Sequence, residues 1–215
     1  MRPRSAGALA LSALAIGCGP ASEGARASAP AWAAPPVGLE GASSGTRAER
    51  YFPLIDGHVY LYATSNESGA GGILIARVHR SGERAGELRF PSGVKRFEYA
   101  PEGIVLAGKG SFLLKEPIAP GTSWIGEHGG RAQILGVEAT IEVPAGRFTG
   151  CVQTLEERSG DRPARYLSTF CPDVGVVSLE AESGASYDRA DLKSYGPSMQ
   201  VGPDGLQRIE IAPAP

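Results

Sequence analysis

The chain has 215 residues, with 21 basic and 23 acidic side chains and a formal net charge of −2. No basic stripe or run appears, which argues against nucleic acid as a partner. Beyond the first 50 residues or so, enough chain remains for one domain with a sizeable core.

Arg2 and Arg4 precede a run of small and apolar residues, Ala6 to Gly17, broken only by Ser12. A short positive segment before an apolar core of about a dozen residues is the layout of a secretory signal peptide, here 1–17. A membrane-spanning helix would need about 20 apolar residues. Leu14-Ala15-Ile16-Gly17-Cys18 resembles the bacterial lipobox, in which the cysteine is lipidated on sulfur and becomes the first mature residue. That resemblance implies three acyl chains, palmitate among them, on Cys18, and two or more chains hold a protein stably on a membrane. Gly19, where an aspartate would signal retention, resembles lipoproteins sent to an outer membrane in cells that have one. The expected location is therefore the cell envelope, on its periplasmic side or surface. Residues 18–48 are dominated by Ala, Gly, Ser and Pro, with Trp32 the one exception. Such a segment buries too little apolar surface to offset its ordering entropy, so it is expected to be a disordered tether.

From residue 49 to 196 the periodicity is short, and the expected fold is mainly β. Apolar or alternating runs fall at 59–63, 72–79, 87–90, 95–100, 103–108 and 111–115, then at 132–137, 139–143, 151–156, 165–170 and 176–182. They are separated by Gly, Pro, Asn, Asp or Ser, and no apolar stripe of helical spacing lasts three turns. The expectation is an antiparallel sheet curved into a sandwich or open barrel, with little helix. In residues 73–78 both faces are apolar, which favours an enclosed interior, though a filled core would read the same. Residues 197–215 return to Gly and Pro and are expected to be mostly disordered.

Three cysteines in an exported chain leave an odd thiol unless one is consumed elsewhere. With Cys18 lipidated, Cys151 and Cys171 remain, flanking a turn signal at Ser159-Gly160-Asp161-Arg162-Pro163. Folding the two arms antiparallel about Asp161 sets Cys151 directly opposite Cys171, within disulfide reach. Export supplies the oxidising compartment.

A second pattern links distant parts of the chain. Pro53-Leu54-Ile55-Asp56-Gly57-His58-Val59-Tyr60 and Pro117-Ile118-Ala119-Pro120-Gly121-Thr122-Ser123-Trp124 share Pro, aliphatic, Gly and aromatic at the same offsets. Pro and Gly punctuate a turn, and the aromatic enters the next strand on a defined face. Two copies suggest two similar half-sheets, since a solenoid needs three repeats or more.

These stretches, with Val143–Val152, Cys171–Glu180 and Asp191–Tyr195, resemble in order a group of small exported bacterial β-proteins, many of them lipoproteins, related to TapB-like domains. This chain has Tyr60 where tryptophan is usual, and a second cysteine at Cys171. The resemblance implies an antiparallel β fold in the envelope and carries over no catalytic residues.

Motifs of chemical appearance fail on context. Gly41–Gly45 matches a nucleophile elbow but lies in the tether. Gly103–Gly110 approximates a P-loop, yet Gly110 stands where a hydroxyl must meet magnesium. His58, His79 and His128 show no metal-ligand spacing, so neither metal nor cofactor is expected. The expectation is a non-enzymatic envelope lipoprotein that binds a partner protein or an apolar ligand, with a membrane partner through its lipid. The alternative is an envelope hydrolase using paired carboxylates from Glu138, Glu142 or Glu156. Replacing the anchor tests the location: Cys18→Ser should move the protein from the membrane to the soluble fraction of fractionated cells, and persistence on the membrane would place the anchor elsewhere.

Overall fold

The computed structural model describes residues 47–202 and 205–208. The signal segment, Cys18 and nearly all of the tether lie outside these residues. The described chain opens with a five-residue helix, α1 (Arg47–Tyr51), which buries Ala48 and Tyr51. The Glu116 carboxylate accepts hydrogen bonds from the Ala48 amide (2.6 Å) and the Ile118 amide (3.0 Å), holding α1 against the domain.

Twelve strands follow: β1 (His58–Asn66), β2 (Gly71–Gly82), β3 (Ala85–Phe90), β4 (Gly93–Ala100), β5 (Gly103–Leu106), β6 (Phe112–Lys115), β7 (Ser123–Ile125), β8 (Arg131–Val143), β9 (Gly146–Arg158), β10 (Ala164–Cys171), β11 (Gly175–Ser183) and β12 (Ser186–Pro197). They form one antiparallel sheet in the order β6-β5-β4-β3-β2-β1-β12-β11-β10-β9-β8-β7. Sequence neighbours are thus sheet neighbours, the first strand pairs with the last, and the ladder is open between β6 and β7. The result is a nearly closed, up-and-down barrel.

The echo divides this barrel in two. The first copy leads into β1 and the second into β7, so each opens a run of six strands. In both copies the glycine takes positive φ (Gly57 73°, Gly121 88°), a conformation that costs glycine nothing. The glycine amide bonds to the next strand, Gly57 to the Val78 carbonyl and Gly121 to the Ile134 carbonyl. The following amide closes the same turn in each, His58 to Ile55 and Thr122 to Ala119. Leu54 and Ile118, next to the prolines, are buried, as are Tyr60 and Trp124.

Most expected strands form, with instructive differences. The runs 132–137 and 139–143 are one strand, β8, irregular in register around Gly136. Bulges bend a strand, and the tip of the β8–β9 hairpin comes over β12, where the Ala145 amide donates to the Leu192 carbonyl. β12 itself was not expected as a strand, because its residues alternate charge with small or aromatic groups and include no Val, Ile or Thr. Its partners on both sides make it one. Beyond it, Met199–Gly202 (β13) and Gly205–Arg208 (β14) pair as a hairpin inside the segment expected to lack structure. On β2, Ala76 and Val78 are buried whereas Ile73 and Ile75 lie exposed. The second apolar face of that run is therefore surface, not a sign of the interior.

Cys151 and Cys171 are joined, with Cα atoms 4.2 Å apart. The β9–β10 register pairs Val152 with Phe170, and continuing it by one residue brings the two cysteines opposite each other. The core is densest at the α1 end, where Leu54, Ile104, Leu114, Ile134 and Leu192 are essentially solvent-free. Phe52, just after α1, sits among Phe97 (ring centroids 4.9 Å) and Phe170 (6.5 Å). The Tyr99 hydroxyl fixes it there, donating to the Phe52 carbonyl (2.8 Å) and accepting from the Leu54 amide (2.9 Å). Replacing both Cys151 and Cys171 by alanine should lower unfolding stability by about 2–4 kcal/mol through lost constraint on the unfolded chain. Urea denaturation of the oxidised protein against the double variant measures this.

Candidate functional site

Inside the barrel, away from α1, lies a cavity of about 500 Å³ that opens to solvent. Its floor is the aromatic cluster of Phe52, Phe97 and Phe170. Strand alternation places the rest: on β10, Tyr166 and Ser168 point the same way as Phe170, and on β4 Lys95 shares the face of Phe97. Short side chains, among them Thr64, Ser168, Ala181 and Ala190, share the upper wall with larger ones such as Leu88, Phe90 and Tyr166. Large residues fill the α1 end and do not fill the other, so the barrel is packed below and hollow above.

The wall is uneven. β5, β6 and β7 have four, four and three residues, whereas β8 to β12 have between eight and thirteen. On the low side the β7–β8 turn, Gly126-Glu127-His128-Gly129-Gly130, reaches over the opening. Glu156, buried on β9, holds it. Its Oε1 accepts from the His128 amide (2.8 Å) and the Gly130 amide (2.9 Å), and its Oε2 meets His128 Nδ1 at 3.0 Å. A Cβ at Gly126 would collide with that carboxylate, and one at Gly130 with the Glu157 carbonyl, so both positions require glycine. The His128 ring stacks on Tyr166, with centroids 3.6 Å apart and planes 10° apart. Burial works against ionising Glu156, but the bonds from His128 and the Gly130 amide outweigh it and hold the carboxyl below its ordinary value of 4.5. Lys95 Nζ and Glu127 Oε1 pair at 2.7 Å across the same low edge.

Breaks in the ladder are closed by aromatic donors. Pairing of β11 with β12 begins at Ser178, leaving the start of β11 without that partner. There the Tyr60 hydroxyl donates to the Val174 carbonyl (2.9 Å) and the Tyr62 hydroxyl to the Val176 carbonyl (3.0 Å). Burial pushes both phenols far above their ordinary range, so they remain neutral donors. Across the β6–β7 opening, Trp124 Nε1 donates to the Phe112 carbonyl (2.9 Å). Tyr60 and Trp124, the two echo aromatics, thus do the same work with different donors.

The other candidates from the sequence are scattered. Glu138 and Glu142 are exposed on β8, and Glu142 pairs with Arg147 at the far end of the ladder on which Glu156 faces Ala132. The three proposed acids do not converge. His58 begins β1, His79 lies on β2 3.5 Å from Asp56, and His128 is in the turn. Among the described residues no group of three His, Cys, Asp or Glu is placed to hold a metal. Gly103–Gly110 is β5 and the turn after it, without a phosphate-cradling loop. The His128–Glu156–Tyr166 assembly was not foreseen. Its only trace in the sequence is the glycine-flanked Glu127-His128, since Glu156 and Tyr166 approach it through strand pairing alone.

No family model and no curated protein matches the chain. Among solved structures, it is similar to a Bacteroides fragilis protein described as exported with a YmcC-like fold (12% identity, TM-score 0.46, covering 67% of this chain and 98% of that one). It is also similar to a protein described as a lipoprotein from Parabacteroides distasonis (15% identity, TM-score 0.45, covering 68% and 98%).

The lowered carboxyl gives the turn a pH dependence of known sign. Because Glu156 ionises more readily folded than unfolded, its contribution is complete above about pH 4.5 and is lost as pH falls through the lower folded value. The amides of His128 and Gly130 should stay protected from hydrogen exchange at pH values that already protonate an ordinary glutamate, and in Glu156→Ala that protection should vanish at neutral pH.

Proposed function

We propose that this protein is a lipid-anchored envelope protein, non-enzymatic, whose barrel holds an apolar ligand. The observation that carries the reading is the hollow, one-ended interior with an aromatic floor. Small-molecule sites are concave, mostly apolar and about 300–1,000 Å³, and this cavity lies within that range. The lipobox-like segment ending at Cys18 and the expected tether support attachment to a membrane, where apolar ligands are available, and membership of the TapB-like group belongs to the same reading. Glu138, Glu142 and Glu156 do not meet in the cavity, so the carboxylate pairing read from the sequence lends the hydrolase alternative no support. The cavity also favours a small ligand over a protein partner, which would need an exposed edge or patch instead.

Protein purified from its own envelope should carry a bound lipid-sized mass in native mass spectrometry. Ala181→Trp, which fills the cavity from β11, should abolish that mass while leaving the circular dichroism unchanged. A co-purifying polypeptide in fixed ratio, with no small ligand, would replace the carrier by an assembly role.

A further inference from the structure

At the cavity mouth the His128 ring is held in three ways. Its Nδ1 faces Glu156 Oε2 at 3.0 Å, its face lies on Tyr166 at 3.6 Å, and its own amide is tied to Glu156 Oε1. An imidazole so fixed leaves one nitrogen, Nε2, for something else. His128 lines the cavity and is about a third exposed. Because Glu156 is an ionised acceptor, neutral His128 carries its proton on Nδ1, and Nε2 becomes a hydrogen-bond acceptor. An oriented acceptor at the edge of an apolar, dead-ended chamber is the arrangement that recognises one polar group on an otherwise apolar molecule.

The charges around it select the kind of polar group. Facing the ring are Glu156 from β9, Glu127 from its own turn, Lys95 from β4, and the uncharged Tyr166 and Ser168 from β10; Asp188 of β12 lies on the same cavity. Lys95 is engaged by Glu127, and Arg189 of β12, the other cation on the cavity, by Asp191 (2.7 Å) and Glu180 (3.3 Å), so among the described residues lining the cavity no uncommitted cation is left to receive an anionic head. The acid side predominates, and a carboxylate or phosphate head would meet repulsion.

We infer that His128 is the head-group docking point of the cavity, and that the ligand is a neutral single-chain lipid whose hydroxyl donates to His128 Nε2 while its chain runs toward Phe52, Phe97 and Phe170. This rests on the cavity being a ligand site. Long-chain alcohols and monoacylglycerols share the required chemistry.

Competition in native mass spectrometry, on the mature protein stripped of bound lipid, tests the assignment with dodecan-1-ol, dodecyl methyl ether, monolauroylglycerol and dodecanoate. The two hydroxyl compounds should bind about tenfold more tightly than the ether, as expected for one satisfied hydrogen bond, and dodecanoate more weakly than either. The tighter of the two hydroxyl compounds names the source. His128→Phe keeps the stacking surface and should bind alcohol and ether alike. Glu156→Gln guards against misfolding of that variant. Its Oε1 still accepts both backbone amides, but its amide nitrogen replaces Oε2, so His128 Nδ1 must accept and Nε2 must carry the proton. Alcohol and ether each offer an acceptor oxygen, and the preference should disappear while total binding remains. Equal binding of alcohol and ether by the unaltered protein would overturn the docking role and leave the cavity reading intact. Tightest binding of dodecanoate would overturn the neutral head. Binding of none of the four would overturn the cavity reading as well.

Discussion

A sheet that curls back on itself interrupts its ladder somewhere, and an interruption leaves backbone carbonyls without their strand partner. In this barrel a buried aromatic side chain answers each break described above: Tyr60 and Tyr62 for β11, Trp124 for the β6–β7 opening. An unsatisfied buried acceptor costs about 1–3 kcal/mol, comparable with a large fraction of a domain's net stability. The rest follows from that closure. With the wall complete, inward side chains are shielded whether or not they touch one another, and a hollow becomes possible.

Why the hollow sits where it does is a matter of side-chain volume along each strand. Toward α1 the inward positions hold Leu, Ile and Phe, and the chain adds Phe52 from outside the sheet, clamped by Tyr99. Burial pushes the Tyr99 phenol up to about 12, so the clamp is neutral at any ordinary pH. Toward the mouth β1, β10, β11 and β12 contribute Thr64, Ser168, Ala181 and Ala190 among larger neighbours. Interiors normally pack to crystal-like density. These short side chains stand on strands hydrogen-bonded to a neighbour on each side, so the backbone cannot close in on the volume they leave.

Much of this was readable from the chain before folding was considered, and the reasons for the exceptions are physical. Turn chemistry and the spacing of two cysteines are local, and they placed the β9–β10 register to the residue. The echo was legible because the same short-range geometry recurs, Gly57 and Gly121 at positive φ before a buried aromatic. What escaped was whatever depends on distant partners. β12 has weak strand propensity and exists because β1 and β11 flank it. β7, three residues long, is shorter than any reliable pattern. From the sequence Glu156 is a candidate member of a catalytic carboxylate pair. Its role comes from a turn some 26 residues earlier in the chain. The cavity is formed by strands brought together from both halves of the barrel and has no signature in any one of them.

The barrel's near-closure bears on how such a body behaves at high density. Open β edges recruit other chains, and proteins with long flat edges risk fibrils. Here the two edge strands have four and three residues, and Trp124 bridges them. The seam therefore offers little templating backbone, and the stretch still open to another chain lies elsewhere, on β2 from Gly71 to Ala76, which pairs with β1 alone. Crowded copies would meet there before they met at the seam.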